Sequence, residues 1–375
     1  MNNMPQLSPR LKRRALLQAA LAAALPLPAL SPAWAQQRRF EPQAGNWRRF
    51  EVTTTVEVAE PKGTNKLWLP VPDISTDWQR TLDNSWTGNA TQAGLASDKT
   101  RGVRMLYAEF AETVKAPMLT LTSLLETRNR TVDWTRNGRF VEDPATLREQ
   151  TDPTELQPLD GIVRKTALQA TRGHRTEVEK VQALYDWVIA NAHREPTTRG
   201  CGTGDIKAML ETGNMGGKCA DLNALFVGLC RAVGIPARDV YGLRLAPSAF
   251  GYKELGGNLG NLKGAQHCRA EVFLTTHGWV AMDPADVLKV MRQESSEWIK
   301  NPRHPLVAPV NVGLFGNWEG NWLAWNTAHD IKLPGSAAKG TLPFFMYPNG
   351  ENVSGQFDSL SPDTFKYTIS AREIV

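Results

Sequence analysis

The sequence predicts an α+β protein in which a β-sandwich-like N-terminal domain precedes a core of helices and paired strands. Residues 50–58 alternate apolar and polar side chains, with the period of a half-buried strand. Apolar residues at helical spacing follow Thr176 and again follow Cys219, and residues 267–274 return to alternation. Strands therefore come first and helices later, which is the order expected of an α+β chain.

The N-terminal part continues the β pattern beyond its first run. Residues 67–69, 103–110 and 118–125 are further β-like segments separated by turn-forming residues. Several short strands of this kind favour a sandwich. Residues 36–150 are predicted as a β-rich domain that carries no catalytic group and supports the rest or presents the substrate.

The net charge excludes a nucleic-acid partner. The chain has 43 basic and 38 acidic side chains, a formal charge of +5. Residues 1–35 contain four of the basic residues and no acidic one, so the remainder has 39 basic against 38 acidic side chains. Nucleic-acid binding would need Lys and Arg clustered in that remainder, and no such run occurs.

Residues 1–35 resemble a signal peptide. A basic segment is followed by an apolar one and by the small-x-small sequence Ala33-Trp34-Ala35. The pair Arg13-Arg14 favours a twin-arginine signal, and an ordinary secretory signal is the alternative. We expect an exported, periplasmic protein with no stable membrane insertion once the signal is cleaved.

Cys219 is predicted to open a helix. Apolar residues recur at intervals of three and four over residues 222–233, and Gly234 and Pro236 end the pattern. A thiol at a helix N-terminus faces the positive end of the dipole, which lowers its pKa and favours the thiolate. The alternative is a buried structural cysteine, the type that Cys230 on the apolar side of the helix represents.

His267 and Asp283 are candidates for a base and the group that orients it. Residues 267–274 alternate, and residues 279–284 return as a second strand, so the two strands form a hairpin. His267 and Asp283 then share a face near its open end, where a carboxylate can hold the imidazole for a thiol. Cys268 alternates with His267 and is expected to point away from the active face.

The other candidate groups stay open or are assigned to structure. Cys201 and Cys268 could form a disulfide, remain buried thiols or line the site. The histidines other than His267 are interpreted as surface groups without metal-ligand spacing. The segment 213–219 lacks the spacing of a phosphate-binding loop.

Two stretches of the sequence resemble transglutaminase-like proteins of the papain-like superfamily. Residues 217–226, running into 231–238, resemble the nucleophile helix of that family. Residues 267–271, 278–279 and 283–284 resemble its histidine and aspartate strands. The resemblance covers about residues 175–290, and the β-rich N-terminal region is also similar to that of bacterial exported members.

The resemblance implies a papain-like core at residues 151–290, with the nucleophile helix on an antiparallel sheet. It implies the catalytic roles of Cys219 as nucleophile, His267 as base and Asp283 as orienting group. Asp286 is a weaker alternative to Asp283. One position departs from the family pattern, because Arg269 stands where many members have an aromatic residue.

The implied function is acyl transfer from amide groups of a peptide or protein substrate through a thioester. A peptidase or amidase acting on cell-wall or periplasmic peptides is one alternative. A catalytically silent binding or scaffold module is another. We expect no cofactor and no metal ion, because the sequence contains no calcium-binding loop pattern.

Residues 291–375 are predicted as a tryptophan-rich C-terminal extension that packs on the core. Its tryptophans are Trp298, Trp318, Trp322 and Trp325. Packing is favoured over a carbohydrate-binding surface, because large aromatic side chains usually supply buried area.

Overall fold

The computed structural model describes residues 38–374. The predicted signal peptide, residues 1–35, lies outside this described part. Between residues 38 and 374, every helix is too short or too polar to cross a membrane.

The secondary structure comprises the following strands and helices in chain order. The N-terminal strands are β1 (Arg48–Glu57), β2 (Asn65–Pro70), β3 (Gln79–Gly88), β4 (Gln92–Ser97), β5 (Arg104–Phe110) and β6 (Met118–Thr127). The middle elements are α1 (Pro144–Glu149), α2 (Gly161–Ala170), α3 (Glu177–Asn191), β7 (His193–Arg194), α4 (Ile206–Thr212), β8 (Gly216–Gly217), α5 (Cys219–Ala232), β9 (Ala237–Arg244), the 3₁₀ turn Lys253–Leu255, β10 (Gln266–Leu274), β11 (Gly278–Met282) and α6 (Pro284–Gln293). The last elements are α7 (Ala308–Gly313), β12 (Phe315–Gly316), β13 (Trp322–Asn326), β14 (Asn349–Asn352), β15 (Gly355–Gln356) and β16 (Tyr367–Ile374).

Two antiparallel sheets form the β-rich region, in the orders β16-β1-β6-β3 and β15-β14-β2-β5-β4. Alternate side chains of β1, such as Phe50 and Val52, are buried in the same hydrophobic cluster as Leu67 and Leu69 of β2. Apolar and polar residues alternate along these strands because each strand turns one face to that shared core. The predicted β-rich N-terminal region is confirmed.

The segment after residue 290 supplies strands to three sheets. Strand β16 pairs with β1 from Arg49↔Ile374 to Val56↔Tyr367. Strand β14 pairs with β2, and β12 and β13 are the edges of the core sheet. Trp318, Trp322 and Trp325 are buried, whereas Trp298 is exposed. The domain boundaries themselves stay a prediction.

The core is the antiparallel sheet β12-β11-β10-β9-β13 with α5 packed on β9 and β10. Helices α2, α3, α4 and α6 also contact α5, so all fourteen of its residues are buried. The sequence indicated a single apolar stripe, but a helix covered by the sheet and by other helices is buried all round. The predicted α+β class and the helix on an antiparallel sheet are confirmed.

A buried ion triplet connects the two regions. Glu271 of β10 accepts from Arg238 Nε of β9 at 2.5 Å and from Arg130 Nη1, which follows the N-terminal strands. The Glu271 side chain is only 2% exposed. Burial alone would raise the pKa of Glu271, but the two guanidinium groups outweigh it and hold that pKa below its usual value.

Candidate active site

The first turn of α5 is held in place by a carboxylate rather than by a hydroxyl cap. Asp221 lies in that turn, and its carboxylate accepts hydrogen bonds of 2.9 to 3.0 Å from the backbone N–H groups of Thr203, Gly204 and Lys218. A Cβ at Gly202 would collide with this carboxylate, so the loop can approach only because the residue is glycine. Cys219, the first residue of α5, is thereby fixed where the helix N–H groups have no intrahelical partner.

His267 and Asp283 meet as the hairpin register requires. Strand β10 pairs with β11 in antiparallel register, with Ala270 opposite Met282. His267 Nε2 lies 2.8 Å from Asp283 Oδ2, and both side chains are buried. The other carboxylate oxygen, Asp283 Oδ1, accepts from Asn223 Nδ2 of α5 at 3.2 Å. The Asp283 carboxylate therefore fixes the orientation of the His267 ring, and Nδ1 is the ring nitrogen that it does not contact.

A glycine allows strand β13 to approach His267. Gly242 of β9 pairs with both His267 and Ala324, and a Cβ at this position would collide with the Leu323 carbonyl oxygen and the Trp322 ring. Trp322 Nε1 donates to the His267 carbonyl oxygen at 2.9 Å. The C-terminal tryptophan thus holds the backbone of the histidine.

Asp286 is a second carboxylate at the imidazole. Its Oδ2 lies 3.3 Å from His267 Nε2, and its Oδ1 accepts from Arg244 Nη2 at 2.5 Å. Asp283 is the N-cap of α6, and a helix brings the residue three positions later back to its cap. The cap signal in the sequence could have predicted that Asp286 lies beside His267 together with Asp283.

Arg269 lies beside Asp283, with Nε 3.6 Å from Oδ2. Its guanidinium group is 4.6 Å from the centre of the Trp322 ring, and burial lowers its pKa to about 10. The residue that departs from the family pattern therefore contacts the carboxylate and the tryptophan that support His267.

Three thiols meet at the start of α5. Cys268 Sγ lies 3.7 Å from Cys219 Sγ, and the Cys201 thiol, which donates to the Gln266 carbonyl oxygen at 3.3 Å, is close enough to both to shift its own pKa. All four cysteines are free. The expectation that Cys268 points away from the site is therefore wrong. All nine residues of β10 are buried, so the site lies near the end of the strand and not on one open face.

The electrostatics favour a thiolate on Cys219 and a proton on His267. Burial opposes the Cys219 thiolate, but hydrogen bonds with Cys201, Cys268 and His267 hold the pKa of Cys219 well below its usual value. Burial and the Arg244 guanidinium lower the pKa of His267, but the Asp286 and Asp283 carboxylates outweigh them and raise it to about 9. The thiolate–imidazolium pair is therefore lost as the pH rises through the His267 pKa of about 9 and, at its acid limit, as the pH falls through the lowered Cys219 pKa.

We expect Cys201→Ala and Cys268→Ala each to raise the pKa of Cys219, because each variant removes a hydrogen bond to the thiolate. The iodoacetamide alkylation rate at acid pH should fall by about tenfold, the equivalent of one charge-assisted hydrogen bond. The measurement is the pH profile of Cys219 alkylation by mass spectrometry. Cys230→Ala is the control, and a profile unchanged in both thiol variants would contradict the expectation.

A cavity of about 640 Å³ opens onto the thiol and the imidazole. Cys219 and His267 are among its lining residues, while Asp283 is fully buried. The three predicted site residues are therefore adjacent, and two of them face the space where a substrate could lie. Cys230 is buried farther along the same helix, and burial raises its pKa.

His267, Asp283 and Asp286 also offer atoms within 4.8 Å of one another, a geometry that could hold a cation. Arg244 and Arg269 already place positive charge against these two carboxylates. We therefore interpret the two carboxylates as groups that orient His267, the base, and not as metal ligands.

One histidine was assigned wrongly from the sequence. His329 is 7% exposed, and its Nε2 lies 3.2 Å from Asp239 Oδ2. The sequence around it, Asn326-Thr327-Ala328-His329-Asp330, gives no sign of burial, because the residues that contact it are distant in the chain, Tyr241 by 88 positions. Its partners are Asp239 and Tyr241.

Comparisons with known proteins identify a family and a fold. The family model described as the Transglutaminase-like superfamily matches residues 164–284. A protein of Haemophilus influenzae without an assigned function is 30% identical over 343 residues, covering 87% of this chain and 91% of that protein. The Bacillus subtilis protein YebA, also without an assigned function, is 25% identical over 241 residues, which is 62% of this chain and 30% of YebA.

The solved structure of a candidate cysteine protease from Cytophaga hutchinsonii has the same fold, with a TM-score of 0.53 and 16% identity. The match covers 89% of this chain and 93% of that one. The family model and the fold lead to one assignment. The chain belongs to the transglutaminase-like superfamily, whose core is that of papain-like cysteine enzymes.

Proposed function

We propose that the protein transfers acyl groups from peptide or protein amides through a thioester on Cys219. The observation that carries the proposal is the position of the His267 ring. Asp283 contacts its Nε2 at 2.8 Å, His267 helps to lower the pKa of the Cys219 thiol, and the cavity opens onto both Cys219 and His267. This is the arrangement of an activated nucleophile with an oriented base.

The reaction takes place in two halves. The Cys219 thiolate attacks the amide carbonyl carbon and forms a carbon–sulfur bond, while negative charge develops on the carbonyl oxygen. N–H groups of the first turn of α5, that of Cys219 among them, stabilise this charge. His267 gives its proton to the amide nitrogen as the carbon–nitrogen bond breaks, and the amine leaves.

In the second half, water or an amine attacks the thioester and loses a proton to His267. The Cys219 thiolate leaves, and the product is an acid or a new amide. Asp283 stabilises the imidazolium in both halves without being protonated itself. Asp286 and Arg244 supply a second charge pair that keeps the ring in the same orientation.

Hydrolysis of cell-wall or periplasmic peptides is the second candidate. The similarity in fold to a candidate cysteine protease supports it. A silent scaffold is disfavoured by the site itself, since nucleophile, base and orienting group are all present and the pKa of the thiol is lowered.

Export is also part of the proposal. The basic and apolar segments of residues 1–35 and the sequence Ala33-Trp34-Ala35 support a cleaved signal. N-terminal sequencing of the secreted protein should find Gln36 first. A mature chain that retains residues 1–35 would argue against export by this route.

The experiment for the catalytic proposal offers peptides with internal glutamine and blocked ends to the enzyme, with and without a primary amine. Mass spectrometry then separates peptide cleavage, side-chain deamidation and amine incorporation. We expect at least one product and a transient acyl adduct on Cys219. Incorporated amine assigns transfer, and cleavage or deamidation alone assigns hydrolysis. Absence of any product and any adduct, while thiol reagents still modify Cys219, would favour the silent scaffold.

A further inference from the structure

The cavity at Cys219 has a one-sided charge. Five of its lining residues are Lys or Arg, in addition to the His267 imidazolium, and Asp and Glu are absent from its lining among residues 38–374. The five are Arg194, Lys218, Arg244, Lys263 and Lys289. This concentration of positive charge contrasts with the near-zero net charge of the chain after residue 35.

Three of the five are already neutralised. Arg244 is paired with Asp286 at 2.5 Å, and Lys289 Nζ lies 3.3 Å from Glu254 Oε2. Lys263 is paired at 2.6 Å with the exposed carboxylate of Asp363. These pairs account for the positive charge deep in the site and on the rim.

Arg194 and Lys218 differ from the other three, because neither has a carboxylate oxygen within 4.0 Å in the described part of the chain. The Arg194 Nε atom donates to the neutral side chain of Gln293 at 2.9 Å. The nearest acid in sequence, Glu195, accepts instead from the backbone N–H and the hydroxyl of Thr197. Both residues are half-buried and line the same cavity as the nucleophile.

Each of these two cations opposes the other. Burial and the positive charge of Arg194 lower the pKa of Lys218, and the smaller opposing effects of Cys201, Cys219 and Glu195 offset this only in part. Lys218 also immediately precedes Cys219, so its charge lies beside the reacting thiol. An anionic group that entered the cavity would offset both the repulsion and the desolvation.

We propose that Arg194 and Lys218 select an acyl donor that carries a carboxylate close to the amide that reacts. The inference rests on the proposed function and names its substrate class, a carboxylate-bearing peptide. Arg194 reaches the cavity from strand β7 and Lys218 from the residue before α5, and the parallel pairing of β7 with β8 sets their separation. The two residues therefore form one anion site on the nucleophile side of the cavity.

The test compares two small reagents of nearly equal shape. Iodoacetate carries a carboxylate and iodoacetamide does not, and in both cases the Cys219 thiolate displaces iodide and forms one carbon–sulfur bond. We expect the ratio of the iodoacetate rate to the iodoacetamide rate to be at least about tenfold higher at Cys219 than at 2-mercaptoethanol, because a positive cavity concentrates anions. High salt should reduce that ratio.

Lys218→Met and Arg194→Gln should each lower the ratio of the two rates severalfold, and because it is a ratio, any change in the amount of thiolate cancels. Lys207→Gln is the matched control, since Lys207 is exposed on α4 outside the cavity and the net charge changes equally. A wild-type ratio equal to that of 2-mercaptoethanol, or a ratio that neither variant changes, would overturn the anion site. If neither reagent modifies Cys219 faster than an unfolded-chain thiol, the proposed function itself fails.

A second arm identifies the source of the carboxylate. Three short peptides are tested for protection of Cys219 against iodoacetamide: one with an internal glutamate and blocked ends, its glutamine counterpart, and the glutamine peptide with a free C-terminus. Protection by the first alone assigns an acidic side chain, and protection by the third alone assigns a terminal carboxylate. Equal behaviour of all three would contradict the selection that we propose.

Discussion

Cys219→Ala is expected to reduce turnover of an amide substrate by about 10⁴-fold or more, the scale of removing a catalytic nucleophile. The reason is that no other thiol takes its place: Cys201 and Cys268 are adjacent, but both are buried, and burial raises the pKa of each whether or not Cys219 is present. The measurement is kcat/KM, normalised to folded protein.

The controls separate chemistry from folding. Cys230→Ala removes a buried thiol of the same helix that faces away from the cavity, and it should retain most of the activity. The kcat/KM of His267→Ala should fall to that of Cys219→Ala. The double variant should lose little more activity, because the two residues act as a unit. His329→Ala removes a buried histidine that also contacts a carboxylate, but it lies elsewhere. Equal losses in His267→Ala and His329→Ala would point to destabilisation and contradict the assignment.

Glu271→Gln is expected to lower the free energy of unfolding by about 3–5 kcal/mol, the usual cost of breaking a buried ion pair by removing one partner. The variant leaves Arg130 and Arg238 facing a neutral amide in a site where the carboxylate is 2% exposed. Urea denaturation followed by fluorescence measures the loss.

Glu51→Gln makes the same chemical change at the surface pair with Arg372, whose side chain is 67% exposed. It should cost less than about 1 kcal/mol. The pKa of Glu271 is held below its usual value, so its contribution is present above the unfolded-state pKa and is lost as pH falls through the folded one. The two variants should therefore converge at strongly acid pH, and a difference that persists there would show that packing and not charge is responsible.

The position of Cys219 could be predicted because its signals are local. Glycines precede it, a run of apolar residues follows, and Gly234 ends the helix. The pairing of His267 with Asp283 required only the register of one hairpin. The helix start and the hairpin register both depend on residues close together in the chain, where backbone geometry allows few alternative arrangements.

Predicting the cluster of three thiols and the contact of Asp286 with His267 required information that local sequence patterns do not contain. Cys268 reaches Cys219 because α5 packs on β10, a long-range contact that the alternation of residues along one strand does not reveal. Asp286 reaches His267 because Asp283 caps α6.

The positive charge of the cavity could not be predicted from the sequence either. Its basic residues lie between positions 194 and 289, without forming a cluster in the sequence. A search for runs of Lys and Arg therefore finds nothing, while the fold gathers the same side chains around one thiol.

The pairing of β16 with β1 has a consequence for how the chain is made. Arg48 and Glu373, which are 325 residues apart, form a bidentate pair across these two strands. On the ribosome β1 therefore lacks one neighbour until residues 367–374 have emerged. Contacts at such separation form slowly, because a long loop must close first. Until then β1 presents an unpaired edge, to which a strand of another chain could add.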